Sequence, residues 1–373
     1  MFNYFKNLKK IEKKQRFIIY GVFAVITLLL LATSAVASFK YFANKQNPEI
    51  VLNEEIPDGE FTLDLDLNNI ASEDKQTTNV LLAGFGGAGH QGGYLSDVIQ
   101  VAHFNFEKKQ IIFISIPRDL YLMGQNQQGY KVNALMSAGM KDGGINAGLE
   151  LLQKSISQIT GLPIKYYIGV DFVGFKRTIG YELKGIEVEV SQTLDDPWYP
   201  IDGAQLDPCG YSESEIAEFT NTLSGFALES KFKCRYEHIY FPAGTHTMEG
   251  HEALAYVRSR HSSSDYDRSR RQVEILSAIR KKLFKLEAIK YVPKYYDAFN
   301  KHVITNLDLE SAKYLAPLLA NAQDFSIQTI NLSPENVLQS SKANNGAFIL
   351  TPKSGFNEWG EVQGFIKQAL NKN

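Results

Sequence analysis

The chain has 373 residues, 44% of them apolar, with two cysteines and a net charge of −2. The length suits one large domain or two small ones, and the apolar share is that of a globular protein with a substantial core, which excludes a disordered or fibrous chain. Residues 1–16 carry six basic residues (Lys6, Lys9, Lys10, Lys13, Lys14, Arg16) against Glu12, a net +5 that leaves −7 for the rest, and an acidic remainder excludes a nucleic-acid surface spread over the domain.

Phe17 to Phe39 is an uncharged run of 23 residues. As a helix it would span roughly 34 Å, enough for a bilayer core at some tilt. The basic tail before it puts the N-terminus in the cytoplasm and the rest of the chain outside. Ala35-Val36-Ala37 also fits a signal cleavage site, but the length of the run favours a retained anchor, and either reading exports the domain. Residues 40–78, with nine acids and three lysines, read as a stalk. Phe61, Leu63, Leu65 and Leu67 alternate there as one short strand would.

Asn79–Gly84 reads as a buried strand that enters a glycine loop ending at Gly93. Gly84-x-Gly86-x-x-Gly89 formally matches a dinucleotide fingerprint, but that motif needs a helix directly after the loop. Here Val98–Phe106 alternates as a second strand, and the Lys-Ser/Thr of a P-loop is missing. What remains is a loop rich in backbone N–H groups with permissive φ angles. Gln110–Ile116 is a third strand, closed by Pro117-Arg118-Asp119. Charged residues just past a buried strand sit at the sheet edge where open α/β sheets place ligands. Lys131-Val132-Asn133 follows in a loop. Gly144–Thr160 has helical spacing, Lys165–Val170 reads as a strand, Asp171–Ile179 as a short helix and Gly185–Val190 as a strand.

Residues 191–236 are rich in Asp, Pro, Gly and Ser, hold Cys209 and Cys234, and read as an insertion with one helix at Glu213–Leu223. An exported compartment permits a disulfide between those cysteines; two free buried thiols are the alternative. Ile239–Pro242 reads as a strand and Glu249–Tyr256 as a helix. His251-Glu252 lacks the second His of a zinc-protease motif, and no G-x-S-x-G appears. Val257–Gln272 then carries Arg258, Arg260, Arg268, Arg270 and Arg271. Arg258 and Arg260 would share a side of an extended segment. Arg268, Arg271 and Gln272 would share the first turns of a helix, capped by Ser264 or Asp265 and ending near Lys290. Guanidinium forks beside a helix N-terminus suit phosphate or pyrophosphate; a solvated, self-paired helix start is the plainer reading. Beyond it come a helix at Leu309–Ala320, strands at Ser326–Leu332 and Phe348–Thr351, and a helix at Phe356–Leu370. The alternation predicts an α/β fold, layered α-β-α around a central mixed sheet, with 79–373 as one domain.

Several segments in order resemble the LytR-CpsA-Psr family of membrane-anchored glycan phosphotransferases. They are V-L-L-A-G at 80–84, Ser96-Asp97, S-I-P-R-D at 115–119, K-V-N-A at 131–134 and G-L-P-I-K-Y-Y-I-G-V-D-F-V-G-F at 161–175. F-P-A-G-T-H-T-M-E-G-H-E-A-L-A-Y-V-R-S-R at 241–260 and D-Y-D-R-S-R-R-Q at 265–272 complete the set. The resemblance implies an extracytoplasmic enzyme that moves a phosphate-linked glycan from a polyprenyl-pyrophosphate carrier to a cell-wall acceptor such as peptidoglycan, assisted by Mg²⁺. It makes Arg118 the catalytic arginine and Asp97 the metal carboxylate, with Asp119 a further catalytic candidate. It gives the pyrophosphate to Arg258, Arg260, Arg268 and Gln272, with Asp265 and Arg271 behind them. It also implies a lipid tunnel, for which Phe104, Phe113, Ile168, Val170, Phe172 and Phe175 are candidates, although for each one singly ordinary core is the plainer reading. The family's second metal aspartate, in a G-x-D, reads Gly84-Phe85-Gly86 here, and Leu95 stands where a basic residue is common. A loop residue such as His90 is the candidate substitute ligand. The lost aspartate motivates two alternatives, a non-catalytic polyprenyl-phosphate binder and a lipid pyrophosphatase.

Overall fold

The computed structural model describes residues 70, 76–90, 92–124, 128–259, 265–285, 303–308, 311 and 325–371, with backbone alone at 142, 265–266 and 283–285. The tail 1–16, the apolar run 17–39, nearly all of the stalk 40–78, Arg260, the Asp265 side chain and nearly all of the segment 309–320 lie outside the described residues. Among the described residues no helix is long and apolar enough to cross a membrane. The chain from residue 79, read from sequence as one domain, packs as two compact units: residues up to Lys184 together with Ile279 onward, and Gly185–Ala278.

The first unit starts with β1 (Thr77–Phe85), β2 (Ser96–Asn105) and β3 (Gln110–Ser115), paired as an antiparallel meander. The glycine loop therefore joins two antiparallel strands, which rules out a dinucleotide-binding turn. A hairpin of β4 (Tyr121–Met123) and β5 (Gly129–Lys131) follows, then a 3-10 turn at Val132–Ala134, where the sequence suggests a plain loop. α1 runs Leu135–Thr160 and starts nine residues before the predicted Gly144. The glycines that read as a boundary form a kink instead, with non-helical angles at Gly143 and Gly144. β6 (Ile164–Asp171) returns parallel to β1 and leads into α2 (Phe172–Arg177). The Asp171 side chain caps α2 by accepting from the Gly174 N–H at 2.6 Å.

The second unit has two hairpin-like pairs. β7 (Ile186–Val190) pairs with β10 (Gly244–Met248), and β8 (Leu194–Pro200) pairs with β9 (Tyr236–Phe241). The residues predicted as a 191–236 insertion are thus rooted in a strand, and only 201–235 form the excursion at its end. There α3 (Glu213–Thr222) carries a Ser212–Glu215 capping box but buries no residue. A disulfide joins Cys209 to Cys234 with Cα atoms 5.6 Å apart. α4 (Gly250–Arg258) follows β10, and α5 (Asp265–Lys285) carries the chain out of this unit. Glu252 closes a capping box with Glu249, which gives His251-Glu252 a structural role.

The first unit is completed by β11 (Ile304–Thr305), β12 (Ser326–Asn331), the hairpin β13 (Leu338–Lys342) and β14 (Phe348–Pro352), and α6 (Gly360–Asn371). Its central sheet has the order β11-β6-β1-β2-β3-β12, with parallel and antiparallel neighbours. The fold is thus mixed α/β around a central mixed sheet. Strand alternation divides the core. Leu81, Val101, Ile114 and Tyr167 share one face and pack with Leu152, Ile156, Val362 and Ile366 of α1 and α6. Val80, Phe104, Phe113 and Ile168 are buried on the opposite face. Burial on both sides is why these strands read as near-continuous apolar runs.

Candidate active site

β2 begins and β3 ends on the same edge of the first unit's sheet, and these two strand termini carry the charged residues. Asp97 is the second residue of β2. Arg118 follows β3 in a turn that Leu120 closes by donating its N–H to Pro117 O at 3.1 Å. Arg118 Nη1 donates to Asp97 Oδ1 at 2.9 Å, and its Nε lies 3.6 Å from Asp119 Oδ2. Lys131 Nζ reaches the other Asp119 oxygen at 2.8 Å. The chain of charges Asp97–Arg118–Asp119–Lys131 therefore alternates in sign. All four side chains are 22–38% exposed, so the pairs add little to stability but fix the guanidinium where solutes reach it. The backbone is held as well: Asn133 N–H donates to Arg118 O at 3.2 Å and Val132 N–H to Leu120 O at 2.7 Å. This explains why K-V-N-A accompanies S-I-P-R-D. The structure brings together Asp97, Arg118 and Asp119 and adds Lys131, which the sequence displays in a motif without showing its partner.

The second unit holds the other arginines. Arg258 is the last residue of α4 rather than part of an extended segment. The helix reaches that far because Ala253, Leu254, Ala255 and Tyr256 are all buried, and the backbone becomes extended only at Ser259. Arg258 Nη1 donates to Tyr199 Oη at 3.2 Å. Arg268 and Gln272 share a face of α5, four residues apart. Arg271 is buried, 1% exposed, and its Nη2 donates to Ser259 O at 2.6 Å; burial pushes its pKa down. Tyr256 donates its hydroxyl to Glu274 at 2.5 Å, and burial together with that carboxylate pushes the phenol up. Glu274 also accepts from Ser191 Oγ at 2.5 Å and Arg270 Nη1 at 3.0 Å. Arg270 and Arg271 thus serve as ties within the unit. Tyr199, Ser259 and Glu274 carry no sequence signal that marks them as partners of arginines.

A family model for the LytR_cpsA_psr family matches residues 27–355. The chain belongs to the LytR_cpsA_psr family. It is 27% identical over 263 residues to the polyisoprenyl-teichoic acid–peptidoglycan teichoic acid transferase TagT of Bacillus subtilis, covering 69% of this chain and 68% of that protein. It is 24% identical over 220 residues to the regulatory protein MsrR of Staphylococcus aureus, covering 58% of this chain and 53% of MsrR. Against MsrR, then, the chain spans about half of the relative's length. The crystal structure of B. subtilis TagV superposes with a TM-score of 0.53 at 23% identity, covering 81% of this chain and all of that one. Protein gbs0355 of Streptococcus agalactiae gives 0.55 at 19% identity, covering 80% and 89%.

This family member departs from the pattern at Gly86. A Cβ there would lie 3.0 Å from His90 Cβ and 3.3 Å from Gly93 Cα, so the closed loop leaves little room for an aspartate. The loop is folded on itself, Gly87 N–H donating to Gly93 O at 2.7 Å. Gly87 has φ +87°, and a Cβ on it would meet Asp171 Cβ at 2.9 Å. Burial pushes the Asp171 carboxyl up, opposed by the Gly174 N–H, Arg177 and His90. His90 lies edge-on to Phe172, ring centroids 5.2 Å apart. Among the described residues, the group of three ligand atoms that could hold a metal is Asp207, Cys209 and Cys234, and its sulfurs are bonded to each other. At the sheet edge, Asp97 offers a hard, partly exposed carboxylate. That donor chemistry fits a Mg²⁺ ion which takes one or two protein carboxylates and completes its shell with water and phosphate oxygens.

Proposed function

We propose that this protein is a membrane-anchored, extracytoplasmic phosphotransferase that moves a phosphate-linked glycan from a polyprenyl-pyrophosphate carrier to a cell-wall acceptor such as peptidoglycan. The observation that carries the reading is Arg118, fixed by Asp97 and Asp119 at an exposed sheet edge in a chain of this family. The names of TagT and TagV, polyisoprenyl-teichoic acid–peptidoglycan teichoic acid transferases, support it. The anchor is the apolar run 17–39, with the basic tail in the cytoplasm.

In the reaction an acceptor hydroxyl oxygen attacks the glycan-side phosphorus. The P–O bond to the bridging oxygen breaks, and polyprenyl phosphate leaves. Such a transfer needs positioning and charge neutralisation more than a covalent nucleophile. Arg118 binds the phosphoryl oxygens, on which negative charge is concentrated, and Asp97 and Asp119 hold its fork in place. Asp119, itself oriented by Lys131, takes the acceptor's proton. Arg258, Arg260, Arg268 and Gln272 act on the pyrophosphate, as their motif matches imply. Asp97 would hold a Mg²⁺ ion, which when bound would add to the neutralisation of phosphate oxygens.

Purified full-length protein in vesicles, given a polyprenyl-pyrophosphate-linked glycan, tests the reading. Transfer predicts release of polyprenyl phosphate that depends on added peptidoglycan. Release without acceptor would make the protein a lipid pyrophosphatase. Binding with no release would make it the non-catalytic binder that the closed loop at Gly86 favours.

A further inference from the structure

β8 in the second unit carries an irregular pairing. Its pairing with β9 shifts register between Asp196 and Tyr199: Asp196 is opposite Ile239, while Tyr199 is opposite Glu237. Three steps along β8 match two along β9, so β8 carries one extra residue, a β-bulge. Without it, residues three apart in a strand would face opposite ways. With it, Asp196 and Tyr199 are both buried, at 0% and 5% exposure. Asp196 Oδ1 accepts the Trp198 N–H at 2.9 Å within the bulge. Its Oδ2 accepts the Ser259 hydroxyl at 2.6 Å. Tyr199 accepts from Arg258 at 3.2 Å, and the Arg258 guanidinium lies 5.7 Å from the centroid of the same ring. Two neighbours in the arginine segment, Arg258 and Ser259, are thus gripped by two residues that the bulge turns to one side.

Rigid placement of a guanidinium is what a phosphate site requires, because an arginine side chain carries about 2 kcal/mol of rotamer entropy that is otherwise lost on binding. The buried Asp196 carboxylate holds the Ser259 hydroxyl, and Ser259 O receives Arg271 at 2.6 Å, so the residue after Arg258 is tied by both its side chain and its backbone. Burial pushes the Tyr199 phenol up, opposed by Arg258, and the phenol oxygen accepts the guanidinium N–H.

We propose that Tyr199 and Asp196, aimed by the bulge in β8, are positioning residues for Arg258 and so set the affinity for the pyrophosphate donor. The proposal rests on the phosphotransferase reading for its substrate. It gives the strand at the root of the 191–236 insertion a role separate from that of the disulfide-closed excursion beyond it.

Tyr199→Phe keeps the ring and the burial and removes one hydrogen bond. In the vesicle assay it should raise KM for the polyprenyl-pyrophosphate donor by about 2- to 12-fold, the range for one hydrogen bond, with kcat within about twofold. The same substitution made in an Arg258→Ala background should change KM no further, because its effect runs through Arg258. Asp196→Asn should raise KM in the same direction and be equally silent in that background. A Tyr199→Phe effect that is undiminished in the absence of Arg258, or an unchanged KM, overturns the proposal. Direct binding of polyprenyl phosphate in vesicles gives the same comparison if no transfer occurs. Failure of the enzymatic reading is then distinct from failure of the positioning.

Discussion

The excursion 201–235 offers a test of what holds an exposed loop in place. The Cys209–Cys234 bridge closes a loop with a sequence separation of 25. Chain-entropy arithmetic for a loop of that length gives about 12 cal/mol/K, or roughly 3.5 kcal/mol at 25 °C. What else opposes opening is modest: α3 buries no residue, and Phe232 is the buried apolar side chain of this stretch, edge-on to Tyr211 and Phe219 at 5.9 and 6.2 Å, with Trp198 edge-on to Phe226 at 5.0 Å and Arg235 Nε donating to Asp207 O at 2.7 Å. Ordering each backbone residue costs about 1–2 kcal/mol, so a single buried aromatic does not hold the excursion. In a Cys209→Ser/Cys234→Ser variant, amides of Glu213–Thr222 should lose about two to three orders of magnitude of hydrogen-exchange protection. The β8–β9 amides should keep theirs, since their pairing lies outside the loop. Unchanged protection in α3 would refute this reasoning and show that the excursion is ordered without its bridge.

Three further outcomes follow from the first unit. His103 is buried against Asn79 Oδ1 at 2.8 Å, and burial, with Lys108 adding, lowers its pKa to about 4. Below about 6.5 the unfolded chain takes up a proton that the folded one resists, so stability should be full above pH 6.5 and fall by up to about 3 kcal/mol towards pH 4. His103→Gln should flatten that slope in urea titrations, and identical slopes would contradict the assignment. Gly87→Ala, at φ +87° and 2.9 Å from Asp171 Cβ, should cost about 1–2 kcal/mol and lower the melting temperature by a few degrees; no change would mean that the loop shifts freely. Lys131→Met breaks a pair of 22–23% exposed groups and should cost under about 1 kcal/mol of stability. It should still slow transfer several-fold by loosening Asp119, and wild-type turnover would show that Lys131 does not orient Asp119 for the chemistry.

The central strands were legible because burial on both faces or alternation leaves a plain mark, as in V-L-L-A-G and I-I-F-I-S-I. Other elements carry no such mark. β13, L-Q-S-S-K, is mostly exposed and polar, so it has no period to read. β4 and β5 have three residues each and exist through their pairing. The start of α1 was hidden by Gly143-Gly144, which punctuates sequence strongly yet here only kinks a helix. β8 contains two prolines and two aspartates and reads as loop, although a bulged edge strand tolerates both. The same contrast runs through the site. Asp97, Arg118 and Asp119 stand out as charges at strand ends. Tyr199 and Asp196 do not, because a buried tyrosine or carboxylate is identified by its partner, and Arg258 and Ser259 lie 59 and 63 residues away.

The central claim is that Arg118 acts on the phosphoryl group that is transferred. The most direct measurement is the single-turnover rate of glycan transfer from a polyprenyl-pyrophosphate donor to peptidoglycan by wild-type and Arg118→Ala proteins, with donor affinity measured on both. The account predicts a rate at least about 100-fold lower for the variant, as for loss of one oriented charge-stabilising donor, and donor binding weakened much less. An Arg118→Ala protein that transfers glycan at the wild-type rate would contradict it.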